Sequence, residues 1–303
     1  MTDERSTQRK LTVVVAAWTG REPLRLCLRS LLSQVHPDED EIIVARNFAD
    51  DDGGPFPSEC SAVTDFSFAH DMTVPKLRAA GFTAAKGNVV AFLEDHCVCV
   101  PGWRDAIMSA HELSVDAVGG PVDLSSGGLP LDWAVYFYDY SRFAPPLKTG
   151  PVPVLSGANM SFKRKFLVEL GTVLQDGVTE VTLEQESRRR GASIHMAGGA
   201  AVIHGKRHSA ENAISLAYAL ARGYASQRVH GKGRIERLVF ACATPVLPIL
   251  FMGRILGSIL RARHNVIRFA IASPWLIVLL YAWSFGEFAG YLAGKGDSDR
   301  KWS

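Results

Sequence analysis

The sequence predicts an α/β domain built on a mixed, mostly parallel sheet with helices on both faces, followed by apolar helices that associate with a membrane. Three observations predict it. Short β-branched runs alternate with stretches of helical period over residues 11–204, the pattern of strands joined by crossing helices. Glu94-Asp95-His96 stands directly after one of those runs, and the carboxyl ends of strands are where such sheets hold ligands. From about residue 238 to 294 the chain turns aliphatic and aromatic, with few acids.

Composition sets the outer bounds. The 303 residues carry 33 Lys plus Arg against 31 Asp plus Glu, a formal +2, so no global charge excess argues for a nucleic-acid partner. At 47% hydrophobic and 21% charged the chain is not a disordered one. Five cysteines, Cys27, Cys60, Cys97, Cys99 and Cys242, are odd in number and lack a CxxC pair, which indicates neither a disulfide framework nor a structural zinc site and suits a reduced cytosol. The polar N-terminus, residues 1–10, is not a secretory leader.

Taken in order, residues 11–17 (LTVVVAA) form a strand too short and too β-branched for a buried helix. Leu24, Leu28, Leu31 and Leu32 then mark a helix face, and residues 41–45 a second strand before a polar Asp/Gly/Pro loop over 47–58. Residues 75–86 read as a helix, 89–93 (VVAFL) as a third strand, 101–114 as a helix, and 115–123 as a strand interrupted at Gly119-Gly120. The aromatic stretch with Trp133, Tyr136, Phe137, Tyr138, Tyr140 and Phe143 reads first as packing and second as a stacking surface for a sugar. Residues 155–162 read as a small-residue turn leading into a helix near Lys163, and 178–191 as a helix with Glu180, Glu184 and Glu186 early and three arginines late, which suits the helix dipole. Strands at 192–196 and ending at His204 close the domain.

The strand-end acids carry the chemistry. In extended geometry Glu94 and His96 project to one side and Asp95 to the other. A divalent cation bridging a diphosphate needs one or two side-chain ligands, with phosphate oxygens and water completing its shell.

The strand and helix VVVAAWTGREPLRLCLRSLLSQ, the segment RAAGFTAAKGNVVAFLEDH, the PGW after it, the block LSGANMSFKR, and TEVTLEQESRRRG through AAVIH together resemble the family 2 glycosyltransferases of the GT-A (nucleotide-diphospho-sugar transferase) fold. The resemblance implies a nucleotide-sugar donor over the first strands, contacted by Ala17, Trp18, Thr19, Glu22, Asn47, Arg78 and Asp95. It implies a divalent metal, Mn²⁺ or Mg²⁺, on Glu94 and His96 in place of the usual Asp-x-Asp, with His204 beside them. Nitrogen ligands favour Mn²⁺. The family's base position, eleven residues before Gly191, falls on Glu180, with Thr179 where a partner acid usually stands. Gly157 and Asn159 match the acceptor-side Gly-Ala-Asn. The second strand departs from the usual Asp-Asp-Gly-Ser, leaving Asn47 and then Asp50, Asp51 and Asp52 as substitutes for reading the donor base. The Gln-x-x-Arg-Trp signature of processive synthases is absent, which points to transfer of a single sugar.

The tail follows a basic stretch, 206–237, with Lys206, Arg207, Arg222, Arg228, Lys232, Arg234 and Arg237 against Glu211 and Glu236. Such a stretch suits anionic head groups or the diphosphate of a lipid-linked acceptor. Residues 238–253 are charge-free for sixteen positions and 269–286 for eighteen, short and borderline for spanning helices, with a polar end at 295–303. A two-span hairpin would put the basic connection 261–268 outside, against the positive-inside tendency. The expectation is therefore interfacial or re-entrant helices with the catalytic domain, 11–205, on the cytoplasmic face. The predicted function is metal-dependent inverting transfer of one sugar to a lipid-linked or membrane-proximal saccharide, in surface or exopolysaccharide assembly, with room for a homo-oligomer. The altered motifs leave a non-catalytic nucleotide-binding scaffold as the rival.

Overall fold

The computed structural model describes residues 9–48, 62–175, 177–262 and 265–298. Asp50, Asp51 and Asp52 lie outside the described residues, as do most of the polar N-terminus and the last residues of the tail. The chain forms two compact units, one running through Asp123 and resuming over Phe143–Lys206, the other made of Leu124–Arg142 and everything from Arg207 onward.

In the first unit β1 (Leu11–Ala17) is buried along its whole length. Gly20, at φ 125°, turns the chain into α1 (Arg21–Leu32), which buries Leu24, Cys27, Leu28 and Leu31. Then come β2 (Asp40–Arg46), β3 (Val63–Ser67), α2 (Val74–Ala84), β4 (Val89–Glu94), β5 (Cys97–Cys99), α3 (Trp103–His111), β6 (Ala117–Gly119) and β7 (Val122–Leu124). The second unit contributes α4 (Pro130–Tyr140), after which the first resumes with β8 (Gly150–Pro151), β9 (Asn159–Lys163), α5 (Arg164–Leu170), α6 (Glu180–Arg190), β10 (Ile194–Met196) and β11 (Val202–His204). The main sheet has the order β3-β2-β1-β4-β9-β6-β10-β8. Its first four strands are mutually parallel, and β9 runs antiparallel between β4 and β6. The α/β class with a mixed sheet is therefore as the sequence implies.

Several strands differ from the sequence reading, among them the short β5 and β8, which it does not contain. β3 exposes four of its five residues and shows no apolar alternation, because it pairs on one side only. β9 replaces the expected turn: Asn159 and Ser161 interrupt its apolar pattern but are wholly buried and satisfied inside the sheet. The stretch 115–123 is two strands, β6 in the main sheet and β7 in a three-stranded sheet of order β5-β11-β7. That second sheet decides the site, because β11 pairs antiparallel with β5 and sets His204 opposite Cys97.

The second unit holds α4, α7 (Ala210–Arg228), α8 (Arg234–Ala243), α9 (Leu247–Ala262) and α10 (Val266–Ala293). Trp133, Tyr136 and Phe137 of α4 are buried, Phe137 edge-on to Phe269 and Trp133 beneath the guanidinium of Arg268. The aromatic stretch packs rather than lining a sugar surface at those positions. A 3-10 turn at Thr244–Val246 joins α8 to α9, so Arg234–Arg261 is a near-continuous helical path of 28 residues. α10 is also 28 residues, about 42 Å at 1.5 Å per residue, and outlasts its charge-free run because Glu287 is buried inside the unit. Both are long and apolar enough to cross a membrane.

Candidate active site

The carboxyl end of β4 and the end of β11 meet because of register. Ala16 of β1 pairs with Glu94, the Asp95 amide donates to Ala16 O at 3.2 Å, and the Gly205 amide donates to His96 O at 2.8 Å. This brings one ligand atom each from Glu94, His96 and His204 within 4.8 Å of one another, and the two imidazoles meet edge to face at 4.5 Å between centroids. Among the described residues this is the one such group.

Its chemistry fits a divalent cation. Asp95 is fully buried and its Oδ1 lies 3.1 Å from His96 Nδ1, the arrangement that holds a proton on Nδ1 and leaves Nε2 as the lone-pair nitrogen. That Nε2 is buried, 3.1 Å from Glu94 Oε2, and has no hydrogen-bond partner. An imidazole nitrogen, a carboxylate oxygen and a second imidazole gathered this closely are a donor set that suits a divalent cation when the nitrogens are deprotonated. Burial by itself would raise the Glu94 carboxyl, but His96 beside it, with Arg78 and His204 behind, holds it at about 2. Burial pulls His96 down, and Asp95 and Glu94 together outweigh it and raise the imidazole.

Arg78, on α2, lies under this group with its side chain 2% exposed. Its Nη2 donates to Glu94 Oε1 at 3.0 Å and to Gly157 O at 3.0 Å, and its Nη1 donates to Glu180 Oε1 at 3.1 Å. Glu180 is the first residue of α6, and Thr179 caps that helix by accepting the Thr182 amide at 3.0 Å. Thr179, standing where the family places a second acid, thus serves the helix. Glu184 pairs with Arg188 and Glu186 with Arg189 and Arg190, whereas Glu180 is the acid of α6 that Arg78 ties to Glu94.

The family model for glycosyl transferase family 2 matches residues 12–171, more than half of the chain. The chain belongs to glycosyl transferase family 2. Its fold is GT-A-like. A curated relative, "Probable N-acetylgalactosaminyltransferase 6" of Caenorhabditis elegans, is 28% identical over 32% of this chain and 19% of its own length. The enzyme resembles the crystal structure of GalNAc-T7 with UDP, GalNAc and Mn²⁺, at TM-score 0.50 and 15% identity over 66% of this chain and 44% of that one. It also resembles the mannosyltransferase PcManGT of Pyrobaculum calidifontis in complex with GDP-Man and Mn²⁺, at TM-score 0.55 and 14% identity over 92% of this chain and 86% of that one. The chain thus spans about a fifth of the curated relative and under half of the GalNAc-T7 chain.

The enzyme's other expected contacts are distributed unevenly around the triad. Ala17 ends β1, and its carbonyl accepts the Asn47 amide at 3.1 Å. The amides of Trp18 and Thr19 donate to Asp95 Oδ2, and the Thr19 hydroxyl donates to Oδ1 at 2.8 Å. Asp95 therefore fixes the loop after β1 and, being fully buried, offers no free face to a donor. Trp18 stands edge-on to His96 at 5.2 Å, with Lys206 Nζ 5.3 Å from its ring. Glu22 faces solvent and is paired with Arg25 at 2.9 Å. The Asn47 amide group donates to Met72 O at 2.8 Å and His70 O at 3.3 Å, tying the end of β2 to that turn. Arg46 beside it is locked on Asp65 by bonds of 2.9 and 3.0 Å.

Two of the expected contact residues are buried. Asn159, expected at the acceptor, is 0% exposed and accepts from Trp103 Nε1 at 3.0 Å while donating to Ala200 O at 2.7 Å and Pro121 O at 3.3 Å, so its side chain ties the sheet to the segments on either side. Arg78, assigned to the donor, is enclosed between two carboxylates. Gly157 does border the site: a Cβ there would overlap the Glu180 carboxylate. Lys206 carries no mark in the sequence that separates it from the basic stretch it opens.

Proposed function

We propose that the enzyme transfers one sugar, with inversion, from a nucleotide-sugar donor to a saccharide acceptor at a membrane, with a divalent cation on Glu94, His96 and His204. The observation that carries this reading is the triad itself, in which one ligand atom each from Glu94, His96 and His204 lie within 4.8 Å of one another. A cation bound there supplies charge to neutralise the departing diphosphate. Asp95 orients His96 and the Trp18-Thr19 loop at once. Glu180 takes the proton from the acceptor hydroxyl as the oxygen attacks the anomeric carbon and the bond to the diphosphate breaks. No covalent enzyme intermediate is needed. Mn²⁺ in the GalNAc-T7 and PcManGT complexes supports the choice of cation, as do the two imidazoles.

The membrane part rests on the second unit. Ile235, Ile249 and Ile267 are 81%, 72% and 77% exposed, and Leu238, Val239, Leu250, Ile271 and Phe285 are also open to solvent, an apolar surface that a soluble protein does not leave bare. The late half of α10 packs on α7, which carries Arg228 beside Glu287 and Arg222 on the Gly294 carbonyl, so a crossing α10 would draw charged α7 into hydrocarbon with it. That favours helices lying in the interface over a hairpin that spans.

The test uses full-length protein, Mn²⁺, anionic vesicles and a panel of UDP- and GDP-sugars. Expected are nucleoside diphosphate release that EDTA abolishes and Mn²⁺ restores, and sedimentation with the vesicles. No release from any donor by folded, Mn²⁺-loaded protein refutes the catalytic reading, and protein that stays in the supernatant refutes the membrane reading.

A further inference from the structure

The guanidinium of Arg78 is shared between the two halves of the site. One nitrogen holds Glu94, the carboxylate of the triad, and the other holds Glu180, while the carbonyl of Gly157 accepts a further bond at 3.0 Å. Arg78 is 1% exposed overall, so neither donor nor acceptor reaches it. A planar fork with fixed angles between its N–H groups sets a distance between two carboxylates in a way that a single ammonium does not. Opposite the fork, Glu180 is backed by a glycine: the missing Cβ of Gly157 is the space its carboxylate fills.

We propose that Arg78 is a positioning residue that fixes Glu180, the base, relative to the cation-binding carboxylate Glu94, with Gly157 as the floor that lets Glu180 reach it. The inference rests on the proposed function above and goes beyond it, because it assigns Arg78 no contact with the donor. Two consequences separate this from a structural role. Gly157 acts on catalysis through Glu180, so its substitution should add nothing once Glu180 is gone, whereas Arg78, which also holds Glu94, should affect Mn²⁺ binding as well. And Gly157→Ala, which leaves Arg78 intact and whose added Cβ has Oε1, Cδ and Cγ of Glu180 as its three nearest atoms, should reproduce the defect.

The experiment compares Arg78→Lys, Arg78→Met and Gly157→Ala, each alone and with Glu180→Gln, in full-length protein. Two readouts are taken: kcat and KM for nucleoside diphosphate release with acceptor present, and Mn²⁺ binding followed by loss of the free-ion electron paramagnetic resonance signal without nucleotide. Expected for each single variant is a kcat lower by about 100-fold, the scale of a misplaced general base, with donor KM within about threefold. Gly157→Ala with Glu180→Gln should be no slower than Glu180→Gln alone, and Gly157→Ala should bind Mn²⁺ as the parent does. Losses that multiply in that double variant, or a raised donor KM at unchanged kcat, overturn the proposal, as does full activity of Gly157→Ala. If Arg78 variants fail to fold, the Gly157→Ala pair decides the matter alone. If the parent protein releases no nucleoside diphosphate, it is the proposed function that fails, and Mn²⁺ binding still reports on the site.

Discussion

Asp95 Oδ2 accepts the backbone amide of Thr19 at 2.7 Å, which ties the end of β4 to the loop after β1 across the two strands at the centre of the sheet. The same carboxylate accepts the Trp18 amide at 3.1 Å and the Thr19 hydroxyl at 2.8 Å. Asp95→Asn puts an NH₂ where one of these donors now points, and a buried donor facing a donor cannot be repaired by water. The expected cost is about 2 kcal/mol, the range for hydrogen bonds to a charged group. It should appear as a lower urea midpoint, together with a raised donor KM once the Trp18-Thr19 loop is released. A variant with the parent's midpoint would mean that the loop holds itself without Asp95.

His111 predicts an acid limit to stability. The Ser161 hydroxyl donates to Val118 O at 2.9 Å, so it accepts from His111 Nε2 at 2.9 Å, and His111 Nδ1 is buried without a hydrogen-bond partner. Burial first, and then the nearby Lys163 charge, lower this imidazole from 6.5 to about 4. The folded state therefore refuses a proton that the unfolded chain accepts. Stability from this group is full above pH 6.5 and is lost as pH falls toward 4, by about 3 kcal/mol in all. His111→Gln keeps a donor toward Ser161 and does not titrate. Urea midpoints at pH 7, 5.5 and 4.5 should fall less steeply for the variant, and parallel slopes would assign the acid limit to other groups.

How much of this was legible in the sequence follows from where each signal lies. β1, β4 and α1 declare themselves because their apolar residues have one period and one buried face. Glu94-Asp95-His96 was readable as a strand-end group, since its meaning depends only on local geometry. The third member, His204, was placed by resemblance alone, because what brings it to His96 is the pairing of β11 with β5, two three-residue strands more than a hundred positions apart. The burial of Arg78 and Asn159 was not legible for a related reason. Motif matching marks a residue as belonging to the site but does not say whether it faces the ligand or, as with Asn159 between Trp103 and Ala200, the sheet.

Removal of one imidazole should separate cation binding from folding. His204 closes β11 and lies on the triad, while the strand itself is held by backbone pairing to β5 that a shorter side chain leaves in place. Changes in groups that merely orient a metal ligand cost 10- to 100-fold in affinity, so loss of a ligand should cost more than about 100-fold. His204→Ala should therefore lose Mn²⁺ binding, read by titration calorimetry, with an unchanged far-ultraviolet dichroism spectrum. Retained Mn²⁺ affinity in that variant would remove His204 from the ligand set.

The helical unit has its own close contact. A Cβ at Gly286 would lie 2.8 Å from Ala221 Cβ and one at Gly290 2.8 Å from Ala225 Cβ, each also striking a carbonyl of α7, at Tyr218 and Arg222. Small residues four apart on α10 thus meet small residues four apart on α7, the spacing that lets two backbones approach. Beside that seam Glu287 accepts from Trp283 Nε1 at 2.7 Å and from the Tyr291 hydroxyl at 2.5 Å, so forcing the helices apart also strains a buried carboxylate. Gly286→Leu and Gly290→Leu should each destabilise this unit by about 1–3 kcal/mol or more, the cost of overpacking. Gly253→Leu on α9, where a Cβ meets nothing within 4 Å, adds the same side chain without the collision. Limited proteolysis of the full chain in detergent should cut the first two variants faster within residues 210–293 and leave Gly253→Leu at the parent's rate. Equal rates for all three would mean that lipid or detergent around the helices, rather than the α7–α10 seam, holds the unit together.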